Sequence, residues 1–472
     1  MFGKKHEFWT FGGEKSYSVT SVTIFLCWRI YICNRKSIKI GFTMENQYFN
    51  TTDSLLDICT KYPETVKIFV SNGFKQLEDE KKRALLGKSL SLEMALKMKK
   101  LNVETFTALL VEGIDSNRGQ VDGDLNQKTK EKKEDSVHVQ GLLPCPVRVP
   151  LVEGIDSFIV DYEKKYNNEI VYDLKAASMG LDWLIDDVIN QENTDNLADI
   201  FISAGFDLFF DEKLMGKFKK QGVFKDSTGF DRLNKDFDND EICLKDPEGH
   251  YSMIGVVPAV FLVNTAELGD RPVPRTWADI FKPEFKRSVS LPISDFDLFN
   301  SMLLHIYKAY GEEGVKGLGA CLLESMHPSQ MVKSHTKKNE KPAITIMPYF
   351  FTKMVKVGGP MIAVWPEDGA IISPIFMLTK EDRLDKTQPV IDFFASKGVG
   401  EILSHQGLFP SINPNVDNKL PEENKFMWLG WDYINNNDIG SLITKCETIF
   451  KKSIQDESFA NLGPLSYSPN ND

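Results

Sequence analysis

Between residues 52 and 110, apolar positions recur at helical spacing in short bursts. Leu55, Leu56 and Cys59 follow Thr52, Asp53 and Ser54, any of which can cap a helix, and Pro63 opens a second burst carrying Val66, Phe69 and Val70 that Gly73 stops. Ser91 precedes Leu92, Ala95 and Leu96, and Asn102 precedes Phe106, Leu109 and Leu110, again at i, i+3, i+4. The pattern predicts a small all-α domain over 50–112. Over 113–140 it is lost. Charges crowd between Lys128 and Asp135 and aliphatics are sparse, so the segment cannot bury enough apolar surface to offset its ordering entropy and reads as a charged linker. Val-Glu-Gly-Ile-Asp-Ser occurs at 111 and again at 152 without matching surroundings and is not a repeat.

Beyond Gln140 short apolar runs alternate with amphipathic stretches, the signature of an α/β domain. Strands are predicted near Val139–Leu143, Glu169–Leu174 and Ala198–Ser203, then around 287–297 and 342–350. Pro150 is expected at the first position of a helix with Leu151, Ile155, Phe158, Ile159 and Tyr162 on one face. Two runs differ from the rest. Gly255–Asn264 and Gly369–Leu378 each hold a central proline and no charge, and they fit two crossings between a discontinuous lobe (141–255 and 370–472) and a continuous one (265–367). Ordinary buried core strands would give the same periodicity.

Composition narrows the function classes. A chain of 472 residues, 42% hydrophobic and 26% charged, is globular and multidomain. Its net charge of -11 argues against a protein whose main work is neutralising phosphates, so no nucleic-acid partner is expected. The first 43 residues run the other way, with Lys4, Lys5, Lys15, Arg29, Arg35, Lys36 and Lys39 against Glu7 and Glu14. In this basic extension Val19–Trp28 has the outline of a secretory apolar stretch but is too short to span a bilayer. Arg29 follows at once, and no small-residue cleavage site appears. Two readings stand: a disordered extension or mis-called start ahead of Met44, which places the protein in the cytoplasm, and a non-standard export or anchor signal, which makes it extracytoplasmic or membrane-associated. Seven cysteines scattered over the chain are not a disulfide framework.

The phrase from Val257 to Pro292 resembles the first-crossing segment of type 2 periplasmic-binding-protein-like solute receptors, in the group of ferric-iron and polyamine receptors of ABC transporters. In that group an asparagine ends the hinge strand, a Pro-x-x-Trp-x-Asp phrase follows, and a strand opens the second lobe; here these are Asn264, then Pro274, Trp277 and Asp279, then Val289–Pro292. Trp365–Lys380 and Gln406–Pro414 are similar too, and the resemblance covers roughly 141–455. It implies a two-lobed α/β fold that closes on a small-molecule or ion ligand, a monomer, and an ABC transporter permease as partner. Residues 50–112 resemble a small helical domain of unknown function associated with hybrid-cluster proteins, without the Cys-x-x-Cys turn that many members carry.

Open α/β sheets bind ligands beyond the carboxyl ends of their strands. The candidate ligand-binding residues on those loops are Pro144, Cys145, Ser178, Met179, Ser203, Asp295, Tyr349, Glu367 and Asp368. Ser178 and Pro348 precede helix starts whose free N–H groups suit anions, whereas Glu367, Asp368 and Asp295, with Trp365 and Tyr349, suit an amine or a metal. The resemblance implies phenolate ligands for ferric iron, often from an adjacent tyrosine pair, and this sequence has no such pair. Asp295 and Asp297 also read as caps of the helix that follows. Cys145, between two prolines, is a loop thiol for which no base can be named. There is no Walker A loop, no His-Glu-x-x-His and no Gly-x-Ser-x-Gly, and the stretch 314–320 lacks the third glycine of a Gly-x-Gly-x-x-Gly pattern and a preceding strand. The histidines show no metal-ligand spacing. A non-enzymatic binding protein with no cofactor is expected, or else an intracellular ligand sensor or enzyme-like descendant of the same fold with the helical domain as docking module.

Overall fold

The computed structural model describes residues 48–454 apart from 72–73, 89, 100–102, 104–105, 108–109, 111–113, 115–135, 167, 177–181, 190–192, 196, 294–295, 339 and 357. The chain divides into two units, Met1–Tyr48 and Phe49–Asp472. The basic extension and nearly all of the charged segment therefore lie outside the described residues.

Near the start of the second unit, four short helices form: α1 (Leu55–Lys61), α2 (Thr65–Ser71), α3 (Glu80–Gly87) and α4 (Leu92–Met98). Ser54 and Ser91 cap α1 and α4 by accepting from the N–H groups of Asp57 and Met94. Phe69, Phe74 and Phe106 meet at their centre with ring centroids 5.5–6.1 Å apart. Helix α3 has no counterpart in the apolar pattern. Its first half is wholly charged, it leaves Leu85 exposed, and it starts because Asp79 accepts from the Lys82 N–H.

After Ser136 the alternation of strand and helix begins. Strand β1 (Val137–Leu143) starts inside the segment expected to be linker. It leads into α5 (Cys145–Tyr166), which begins five residues before the expected Pro150. Pro146 fits because first-turn N–H groups have no partner within the helix, and Pro150 is carried inside it. Then come β2 (Ile170–Ala176), α6 (Asp182–Ile189), β3 (Ile200–Ala204) and α7 (Asp207–Phe210). The long strand β4 (Ser252–Asn264) is followed by α8 (Trp277–Ile280), β5 (Val289–Leu291) and α9 (Phe296–Cys321), which is kinked at Gly311 (φ 64°). Next are β6 (Leu322–Ser325), β7 (Ile344–Pro348), the 3-10 turn Tyr349–Met354, β8 (Met361–Val364) and β9 (Ala370–Thr379). Helix α10 (Leu384–Phe394), β10 (Phe426–Met427) and α11 (Ile439–Ser453) complete the order.

The strand order is β2-β1-β3-β9-β4-β7-β5-β6, with β8 on β4 and β10 on β9. Strands β4 and β9 are buried on both faces, which is why their sequences run apolar without alternation. Ile375 and Met377 enter one lobe-1 cluster with Val147, Leu151 and Ile155 of α5; Phe376 and Leu378 enter another with Phe206 and Phe209. Further along the ribbon, Phe261, Val263 and Ile371 belong to a third cluster, around Trp277 and Phe285 in lobe 2. The last helix departs from the lobe boundary read from sequence. Ile439 and Ile443 of α11 pack in lobe 1, while Cys446 and Phe450 sit in the lobe-2 core, so this helix crosses between lobes as well.

The two prolines explain how the lobes join. Strand β4 pairs with β7 from Ala259 onward and is bridged by Ser411 at Gly255, so Pro258 falls between those neighbours. Strand β9 pairs with β10 at Ala370 and Ile371 and with β3 from Ile375, so Pro374 falls between those two. A proline cannot donate to a ladder and is tolerated where no strand waits for its N–H. Val257 and Pro258 against Ile372 and Ser373 thus form a two-stranded ribbon between two wider sheets.

Candidate functional site

Strand directions locate the site. Strands β1, β2 and β3 are parallel to one another, β3 is antiparallel to β9, and β9 is antiparallel to β4, so the lobe-1 strands run the same way as β4. Strand β7 is antiparallel to β4, and β5 is parallel to β7. Since β4 leaves lobe 1 for lobe 2, the carboxyl ends of β1, β2 and β3 point toward lobe 2, and those of β5 and β7 point back. Five strand ends face one another, the arrangement that in open α/β sheets accommodates ligands.

The candidate residues fall unevenly on this frame. Pro144 follows β1, half-buried, and its carbonyl accepts from the Val147 N–H at 3.0 Å. Cys145 is the first residue of α5, and its side chain, like Ser178, Met179 and Asp295, lies outside the described residues. Ser203 is fully buried within β3, and its hydroxyl donates to the Ala204 carbonyl at 3.0 Å. Tyr349 opens the turn after β7, its ring edge-on to Trp365 with centroids 5.1 Å apart. Among the described residues no group of three or more His, Cys, Asp or Glu is placed to hold a metal ion.

Glu367 and Asp368 stand in the turn between β8 and β9 and are engaged by the start of α8. Exposed Glu367 lies 3.3 Å from Arg275 Nη1, and its N–H donates to the Arg275 carbonyl at 2.7 Å. Asp368 accepts from the Trp277 N–H at 3.0 Å, while Trp277 Nε1 donates to the Gly369 carbonyl at 2.9 Å. Thr276 and Asp279 complete a capping box at that helix. The Pro-x-x-Trp-x-Asp phrase is therefore a staple joining the segment after β4 to the first residue before β9. Burial pushes the Asp368 carboxyl up to about 6, against the pull of the Trp277 N–H and the Tyr310 hydroxyl. The fold binds that proton more tightly than the unfolded chain, whose carboxyl titrates near 3.8, so stability falls as pH rises from about 4 to about 6. Asp368→Asn keeps an acceptor for Trp277 and removes the titration. Its melting temperature relative to wild type is expected to rise between pH 4 and pH 7, and a constant difference would refute the assignment.

Two groups at the strand ends carry no signal in the sequence beyond their neighbourhood. Gly205, just past β3, has φ +120°, and a Cβ there would lie 2.8 Å from Asp297 Oδ1 of lobe 2 and 3.2 Å from Asp207 Oδ1. The Asp207 carboxyl is raised by burial. On α9, Leu304 packs into a lobe-1 cluster, and buried His305, whose ring burial holds at about 4 and hence neutral near pH 7, stands edge-on to Phe206 with centroids 6.3 Å apart.

Two α/β lobes joined by paired crossing strands, with strand ends converging between them, define the periplasmic-binding-protein-like class of type 2. Residues 195–437 match the family model described as bacterial extracellular solute-binding protein, and the chain belongs to that family. Residues 49–107 match a domain of unknown function (DUF1858). No curated protein matches the chain. Among solved structures it is similar to a ferric binding protein from Campylobacter jejuni (14% identity, 67% of this chain and 99% of that one, TM-score 0.47). It is also similar to the periplasmic binding protein AfuA from Actinobacillus pleuropneumoniae with fructose-6-phosphate bound (15%, 67% and 98%, 0.47). A third is the Trichodesmium protein IdiA (FutA) in complex with iron and citrate (11%, 67% and 99%, 0.47). Among the described residues no helix is long and apolar enough to cross a membrane.

Proposed function

We propose that the two-lobed domain captures a small polar solute between its lobes, closing about the Val257–Pro258 and Ile372–Ser373 ribbon, and delivers it to an ABC transporter permease. The observation that carries this reading is the convergence of five strand carboxyl ends across a ribbon only two strands wide. Two-stranded ribbons twist more readily than wide sheets, so motion concentrates there. The loops after β1, β2, β3, β5 and β7 supply the contacts, with Pro144, Ser178, Met179, Asp295 and Tyr349 proposed on them, Cys145 at the start of α5 and Ser203 just inside β3. Glu367 and Asp368, bonded to α8, act on the ribbon rather than on the solute. The chain works as a monomer, makes and breaks no bonds, and acts outside the cytoplasm, a location that membership of an extracellular family favours over the cytoplasm.

Closure requires a ligand that touches both lobes, because one that binds open and closed states equally shifts nothing. Thermal melting and small-angle scattering with spermidine, ferric citrate, inorganic phosphate and fructose 6-phosphate test the reading. One class is expected to raise the melting temperature and shrink the radius of gyration together. A probe that saturates the protein with the radius unchanged counts against closure.

A further inference from the structure

The turn Tyr349–Met354 belongs to lobe 2, yet two of its side chains end on lobe 1. Phe350 stacks on Phe409, with centroids 6.2 Å apart and planes inclined by 21°, and packs against the cluster that contains Val147 of α5 and Phe394 of α10. Lys353 Nζ donates to the carbonyls of His405 at 3.2 Å and Gln406 at 3.0 Å. These are the last residues of the helical stretch Ile402–Gln406. Final carbonyls of a helix have no partner within it and form the negative end of its dipole, so an ammonium group suits them. Both sides of the contact are braced. The Thr352 hydroxyl donates to the Tyr349 carbonyl at 2.7 Å within the turn. Across from it, Leu408 adopts φ +48° and the Phe409 N–H returns to the Leu403 carbonyl at 3.0 Å, which sets the Phe409 ring under Phe350. His405 Nε2 lies 2.8 Å from the Asp417 carbonyl, tying this corner to the loop beyond.

We propose that Phe350 and Lys353 form a latch that holds the two lobes together before any ligand arrives. The inference rests on the closure reading above and adds a device to it. The latch follows Tyr349 directly, at one of the converging strand ends. By raising the closed fraction of the empty protein it removes part of the closure cost from binding.

The test uses the full chain without added ligand, as wild type, Lys353→Met, Lys353→Arg and Phe350→Ala. Amide hydrogen exchange over 349–355 and 402–409 is read alongside the radius of gyration. Lys353→Met and Phe350→Ala are expected to speed exchange in both segments, roughly tenfold for a lost charged hydrogen bond, and to enlarge the radius. Lys353→Arg, which retains a cation of similar reach, stays near wild type. If neither readout moves, the latch is wrong and the closure reading stands. If exchange quickens in both segments while the radius stays fixed, the contact exists but does not hold the lobes together, and the latch is wrong while the closure reading is decided by the ligand experiment.

Discussion

Trp277→Ala is expected to destabilise the two-lobed domain by about 3–5 kcal/mol, the range for removing a fully buried large aromatic side chain. Trp277 has no solvent exposure, its ring meets Phe261 of β4 edge-on at 4.9 Å, and its Nε1 holds the carbonyl of Gly369 at the start of β9. One side chain thus packs on the first crossing strand and bonds to the second. Trp277→Phe separates the two roles: most of the packing survives, but the Gly369 carbonyl loses its donor in a buried place, which costs about 1–3 kcal/mol. Calorimetric melting of the two variants should rank them wild type, then phenylalanine, then alanine. An alanine variant melting within about a degree of wild type would mean that the staple contributes nothing.

The sequence carries the elements better than it carries the site. Ile375–Leu378 and Phe261–Val263 read as strands because a strand buried on both faces must be apolar at every position, and the two central prolines mark the step where ladder partners change. Helix α3 escapes notice because its start depends on one Asp79 cap and its first half is charged; α5 starts early because first-turn prolines cost a helix nothing. The lobe assignment of α11 cannot be read from periodicity, since Ile439, Ile443, Cys446 and Phe450 form one ordinary apolar stripe whose two ends meet different cores. Glu367 and Asp368 look like free loop acids until Arg275 and Trp277, some ninety positions earlier, come to meet them. Phe350 and Lys353 escape for the same reason: their partners lie more than fifty residues ahead.

Gly205→Ala is expected to force the lobes apart and to lower stability, and the two effects are separable. At φ +120° an L side chain is strained by roughly 1–3 kcal/mol wherever its neighbours lie. The second effect is steric. The new methyl would stand 2.8 Å from Asp297 Oδ1, at the start of α9 in lobe 2, and 3.2 Å from Asp207 Oδ1 on its own lobe. Asp207 is poorly placed to yield, because its carboxyl is buried and accepts from the Leu208 N–H at 2.9 Å. Asp297 Oδ1 ends a half-buried side chain at the start of α9, so it yields either by turning about its own bonds or by moving with the end of α9, and only the second carries lobe 2 with it through Leu298, Phe299 and Met302. The single variant should therefore show a larger radius of gyration and a lower melting temperature than wild type. In Gly205→Ala combined with Asp297→Ala the collision is gone and the backbone strain remains, so the radius should return while the melting temperature stays low. If the radius is the same in the single and double variants, the Gly205 contact does not set the spacing of the lobes, and the separation of the strand ends is governed by the ribbon and α11 alone.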